Sequence, residues 1–147
     1  MSTPEDKHQQ AVDGLKPVAF LLGEWRGQGH AHGKPLTGRL SVSEILDGSF
    51  IQANEVLCDS DGELDHQDIC IYRYDPVEEQ LRVIQLTPPA WRSEQLVICE
   101  ENGLRWYGGP DGPTVTLIRQ GDQIVSSVHL ATNPNPIAQM RYARDLD

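Results

Sequence analysis

No cluster of basic residues occurs anywhere in this chain. Lys and Arg number 12 against 22 Asp and Glu, a formal net charge of −10. Nucleic-acid backbones and anionic membrane surfaces are recognised by basic faces, so this balance argues against both as partners. Long hydrophobic runs are missing as well. The longest, Val18 to Leu22, is far too short to cross a bilayer as a helix. Cysteines are few: Cys58, Cys70 and Cys99 are odd in number and widely spaced, with no CxxC pair and no Cys/His ligand spacing. That argues against a zinc site and fits reduced thiols. The first ten residues are polar and lack the apolar segment of a secretory leader, so a cytoplasmic protein is expected. The chain also lacks a Gly-x-Ser-x-Gly elbow, a Walker loop, a dinucleotide fingerprint and a His-Glu-x-x-His pair, which removes the common enzyme signatures.

What is present is a chain of 147 residues, 38% hydrophobic and 23% charged. That is the length of one domain and the composition of an ordered globular one. We expect a single domain over 1–147, with a polar N-terminal segment at 1–17 and the folded body at 18–146. Thr3-Pro4-Glu5-Asp6 reads as a helix start, with a capping hydroxyl, a proline in the first turn and acids at the positive end of the dipole. Gly14 and Pro17 limit that helix. Leu15, Val18, Ala19, Leu21 and Leu22 then form a short apolar stretch, read as a short helix or turn that plugs one end of the folded body.

From Glu24 the texture changes to segments of alternating hydrophobicity. These are 24–32, 36–46, 49–57, 66–74, 80–87, 92–100, 103–108, 113–119, 122–131 and 137–144. The separators are turn formers such as Asp47-Gly48, Asp61-Gly62, Asp75-Pro76, Asn102-Gly103, Asp111-Gly112 and Gly121-Asp122. Strands this close together, with no long helix between them, pair through hairpins. About ten of them remove their edges by closing, so the expected fold is all-β: a closed antiparallel up-and-down barrel with a short N-terminal helix. A sandwich is the alternative. Several strands carry polar residues on both faces. Ser41 and Ser43 alternate with Leu40 and Val42, and Ser126 lies between Ile124 and Val128 while Ser127 and His129 take the other face. Such residues either line a cavity or face solvent.

Leu21-Leu22-Gly23-Glu24-Trp25-Arg26-Gly27-Gln28-Gly29 holds the pattern G-x-W-x-G-x-G. Glycines two apart share a strand face, and their missing side chains permit a bend or the approach of another backbone. Trp25 lies in the same alternation and can plug the barrel beneath the apolar stretch. With this motif the chain resembles the nitrobindin-like proteins, a group of haem-binding or fatty-acid-binding-protein-like calycins. His66-Gln67-Asp68-Ile69-Cys70-Ile71-Tyr72-Arg73 looks like that family's central segment, and Thr132-Asn133-Pro134 like the lead into its last strand. The resemblance spans most of 18–146. It implies a calycin barrel, with Trp25 stacked under an arginine of the last strand, for which Arg141 and Arg144 are the candidates.

One departure carries weight. The family holds haem iron through a His of the final strand, but here the stretch reads Asn135-Pro136-Ile137-Ala138-Gln139-Met140-Arg141-Tyr142. Ala138 or Gln139 falls at the iron-binding place, and Met140 offers only a thioether. His66 matches the family's pocket His on the opposite face, or else stands on the surface beside Asp65. His66, Gln139 and Met140 are therefore the candidate haem contacts, with the cofactor left open. His30 and His32 alternate near a rim without a visible third metal ligand. Glu44, Glu55, Asp68 and Glu94 sit within expected strands, where alternation sends about half of all acids outward.

The leading expectation is a small-molecule-binding barrel without stable haem. Its pocket would draw on Trp25, His66, Ile71, Arg73, Val83 and Gln139. The alternatives are a haem-dependent peroxynitrite isomerase with an unusual ligand, and a filled barrel serving as an interaction module. A homodimer is open.

Overall fold

The computed structural model describes residues 3–108, 112–130 and 133–146. Asp111 of the expected Asp111-Gly112 turn, Ala131 at the end of one expected strand, and Thr132 of Thr132-Asn133-Pro134 lie outside them.

The N-terminal helix α1 (Pro4–Gly14) starts as its sequence dictates. Thr3 Oγ1 accepts from the Asp6 amide and the Asp6 carboxylate accepts from the Thr3 amide, each at 3.1 Å, a reciprocal capping box. Gly14 lies flat against the Tyr74 ring, where a Cβ would stand 2.0 Å from Cγ. A 3-10 helix (Lys16–Leu21) comes next and buries Val18 and Leu21.

The rest of the described chain is built from eleven antiparallel strands. They are β1 (Gly23–Ala31), β2 (Lys34–Ile45), β3 (Phe50–Cys58), β4 (Leu64–Asp75), β5 (Gln80–Thr87), β6 (Trp91–Leu96), β7 (Ile98–Glu100), β8 (Gly103–Tyr107), β9 (Thr114–Gln120), β10 (Gln123–His129) and β11 (Ala138–Arg144). They form one sheet in the order β6-β5-β4-β3-β2-β1-β11-β10-β9-β8-β7. Sequential strands pair by hairpins, as the short separators require. The β1–β2 turn is two residues, His32 and Gly33, both at positive φ, the backbone that right-twisted hairpins favour. First strand meets last through β1 and β11, from Trp25 opposite Arg144 to Ala31 opposite Ala138.

The stretch expected as one strand over 92–100 is two strands joined at Val97. β6 pairs with β5 and β7 with β8, while the Val97 amide still donates to Leu81 O at 2.8 Å. One chain segment thus joins the two ends of the sheet, giving a nearly closed up-and-down barrel. This architecture is compatible with a calycin-like fold.

The plugged end is built around Trp25, which is only 3% exposed. Its indole N–H donates to Leu21 O at 2.8 Å, and the Arg144 guanidinium lies 4.3 Å from the ring centroid. Of the two candidate arginines, register selects Arg144, the residue opposite Trp25. The motif glycines let β11 come close: a Cβ on Gly29 would sit 1.8 Å from Gln139 O, and one on Gly27 2.4 Å from Arg141 O.

Candidate functional site

Strand alternation decides which side chains look into the barrel. On β4 the inward set is His66, Asp68, Cys70 and Tyr72, while Gln67, Ile69, Ile71 and Arg73 point out. On β3, Ala53, Glu55 and Leu57 point in. Together with β2, β9 and β11 they enclose a cavity of about 450 Å³. Its floor is Leu21 at the plugged end, and its walls include Leu40, Leu117, Val128 and Met140. Tyr72 and Trp106 meet edge to face inside it, centroids 5.9 Å apart. At the far rim stand His32, half-exposed Trp91, Gly108 and Pro113.

One wall is polar. Glu55 and Asp68 are cross-strand partners on β3 and β4, which places two carboxylates side by side. His66 Nε2 lies 3.0 Å from Asp68 Oδ2, and the Gln85 amide donates to the same oxygen at 3.2 Å. Tyr142, wholly buried on β11, donates its hydroxyl to Glu55 Oε2 at 2.6 Å. One oxygen each of Glu55 and Asp68 and one ring nitrogen of His66 lie within 4.8 Å of one another.

The electrostatics come from this packing. Burial pushes Glu55 up to about 7, and the neighbouring Asp68 charge adds to it; the Tyr142 hydrogen bond and His66 act against the rise. The hydrogen bond to Asp68 raises His66, so its imidazolium form is favoured. Burial raises Cys70 and Tyr72 well above their ordinary values, leaving both neutral.

The sequence-derived candidates divide. His66 and Met140 face the cavity. Gln139 borders it, but pairs with Ser127 and donates to its hydroxyl at 3.0 Å on the outer side, whereas Ser126 and Met140 form the inner pair. Trp25 and Val83 are core residues of the plugged half and do not line the cavity; Val83 is 1% exposed. Ile71 and Arg73 are on the outer face. Arg73 ion-pairs there with Glu94 at 3.1 Å, because the odd-numbered positions of β4 point away from the interior. Of the four strand acids, Glu55 and Asp68 turn inward, while Glu44 and Glu94 do not line the cavity.

The β11 positions that reach the interior fit haem poorly. Ala138 has no ligand atom. Met140 is 3% exposed and packed against Gly38, and the Tyr142 hydroxyl is engaged by Glu55. Gln85 and Tyr142 are the wall residues that sequence reasoning left out, and Glu55 and Asp68 entered it only as two of four strand acids. The signal was the shared parity of Asp68 with Cys70 and Tyr72, masked by Ile69 and Ile71 on the opposite parity. No protein-family model matches the chain, and no curated protein matches its sequence significantly.

Proposed function

We propose that this barrel binds a small molecule in its interior, with an apolar body among Leu21, Leu40, Leu117 and Met140 and a polar group at the Glu55–His66–Asp68–Gln85 wall. The observation that carries the reading is the cavity itself. Its volume of about 450 Å³ falls within the usual 300–1,000 Å³ of small-molecule sites, and it combines apolar walls with a few convergent polar groups. A filled barrel acting only as an interaction module would have closed this space with side chains. The haem-isomerase reading asks for an iron ligand on β11, where Ala138 and Met140 are the inward residues.

The test is a titration with a neutral solvatochromic dye such as Nile red, beside native mass spectrometry of the protein as purified. Binding of one dye per chain, lost in Ala53→Phe because the larger side chain fills the cavity, is the expected result. If the wild type neither binds the dye nor retains any small molecule, the reading fails.

A further inference from the structure

Acidic groups outnumber basic ones around the cavity. Glu55, Asp65 and Asp68 border it, and no Lys or Arg does among the described residues. The carboxylate of Asp65 is taken by Lys34 at the rim, 2.9 Å away. Deeper in, Glu55 and Asp68 have His66 as their one basic neighbour on the lining. An anionic head group brought to this wall would meet two carboxyl groups, and the one basic neighbour, His66, is already engaged by Asp68 at 3.0 Å, so its charge would be poorly matched, which is unfavourable. A neutral head could offer Glu55 only an uncharged hydrogen bond beside the one from Tyr142. A protonated amine would meet both carboxylate oxygens with charge-assisted hydrogen bonds, the strongest available here. The rest of the lining suits the same guest. Tyr72 and Trp106 put aromatic surface inside the cavity and Trp91 puts more at its rim, and ring faces attract cations once water is excluded.

We propose that the natural ligand is an organic cation: an amphiphilic primary or secondary amine whose ammonium group sits between Glu55 and Asp68, with its apolar body toward Leu21. This rests on the small-molecule reading above and narrows it. The groups facing Glu55 are Asp68 and His66 from β4 and Tyr142 from β11, with apolar Leu40 opposite it on β2. Glu55, held near 7 in the free protein, gives up its proton when the ammonium arrives. Amine binding is then coupled to proton release and strengthens as pH rises through neutrality, up to the point where the amine itself loses its charge.

The experiment is calorimetric titration of the full chain with three probes of equal length, n-octylamine, n-octanol and octanoate, with a chelator present throughout. Octylamine should bind at least about tenfold more tightly than octanol, the worth of one charge-assisted hydrogen bond, and octanoate most weakly. Glu55→Gln and Asp68→Asn should each lower octylamine affinity by about tenfold and octanol affinity by clearly less, and a thermal melt matching the wild type certifies an intact barrel. A pH series on the wild type needs no variant: octylamine affinity should rise from pH 5.5 to 8, and octanol affinity should stay level. Equal affinity for octylamine and octanol, or preference for octanoate, overturns the cation assignment while the small-molecule reading stands. Failure of all three probes to bind overturns both.

Discussion

Tyr142 on β11 reaches Glu55 on β3 across two intervening strands, and its hydroxyl donates a 2.6 Å hydrogen bond at the end of that span. The path is open because β1 and β2 present glycine to each other where the ring passes. Gly27 and Gly38 are cross-strand partners; a Cβ on Gly27 would lie 2.6 Å from Tyr142 Cδ1, and one on Gly38 2.7 Å from the hydroxyl. Part of the G-x-W-x-G-x-G motif is thereby tied to the polar wall of the cavity. Gly38→Ala should push against Tyr142, Leu57 and Met140 together. Overpacking of this kind costs about 1–3 kcal/mol, readable as a lower midpoint in urea. An unchanged midpoint would mean that these side chains give way freely.

Removing the hydroxyl isolates the electrostatic role of the same bond. It opposes the effect of burial on Glu55, so in Tyr142→Phe the carboxyl should titrate higher than its value of about 7. The expected rise is about one pH unit, the worth of one hydrogen bond to a carboxylate. Carboxyl carbon NMR across pH 4 to 9 would register it. A Glu55 titration that does not move would show the bond to be energetically idle.

Glu55 and His66 should together make the fold weaken with rising pH. Glu55 ionises near 4.5 in the unfolded chain and near 7 in the barrel, so between those values the native state holds a proton that the unfolded state has lost. Stability from this source is full below 4.5 and declines up to about 7, by on the order of 3 kcal/mol. His66 is also raised in the fold; its contribution is full below 6.5 and is lost as pH climbs through its folded value. The two groups therefore act in the same direction. Thermal melts should show a falling midpoint from pH 5 to 8, and Glu55→Gln should remove most of the slope. Glu94, held low by its hydrogen bond to Arg73, acts in the opposite sense and only on the acid side of 4.5.

How far the sequence could be read depended on how strongly each segment's pattern differed between its two faces. The helix start at Thr3-Pro4-Glu5-Asp6, the strand spans and the turn residues were legible because capping, alternation and positive-φ positions are local. The Trp25–Arg144 contact was legible to within a choice of two arginines, which only register could settle. The break at Val97 was not, because 92–100 carries a continuous strand pattern and its division depends on which neighbours each half meets. The pocket was read least well on β4, where Ile69 and Ile71 make the outer face as apolar as Cys70 and Tyr72 make the inner one. The expected pocket there mixed both parities, His66 with Ile71 and Arg73, while Asp68 stood only among the strand acids. Tyr142 could not be connected to Glu55 at all, since the link joins residues 87 apart through two glycines.

Trp25 should be the costliest single side chain of the plugged end. It is buried, hydrogen-bonded to Leu21 O and covered by Arg144. Trp25→Ala should lower stability by about 3–5 kcal/mol, the range for a large buried aromatic. Arg144→Ala should cost only about 0.5–1 kcal/mol, since that guanidinium is exposed. A urea melt of Trp25→Ala within about 1 kcal/mol of the wild type would show the indole to be peripheral.

The last strand offers a test of why the resemblance to haem-binding barrels stops short. Ala138 and Met140 face the cavity, and Gln139 is turned out to Ser127. The wild type should therefore take up haem weakly and without fixed stoichiometry. A lone thioether is a poor anchor for ferric iron, and a cavity bordered by Glu55, Asp65 and Asp68, with no Lys or Arg among the described residues, disfavours a dianionic macrocycle. An imidazole placed at Ala138 would enter the cavity that His66 also lines; one placed at Gln139 would take the glutamine's path toward Ser127. Haem titration should thus give Ala138→His a sharpened Soret band and tighter binding, and leave Gln139→His close to the wild type. In the Ala138→His background, His66→Ala should alter the spectrum without abolishing uptake. If Gln139→His instead gains the band, the parity assigned to β11 is wrong; if the wild type already binds one haem tightly, Met140 or His66 is ligating iron and the haem-isomerase reading moves ahead of the small-molecule-binding one.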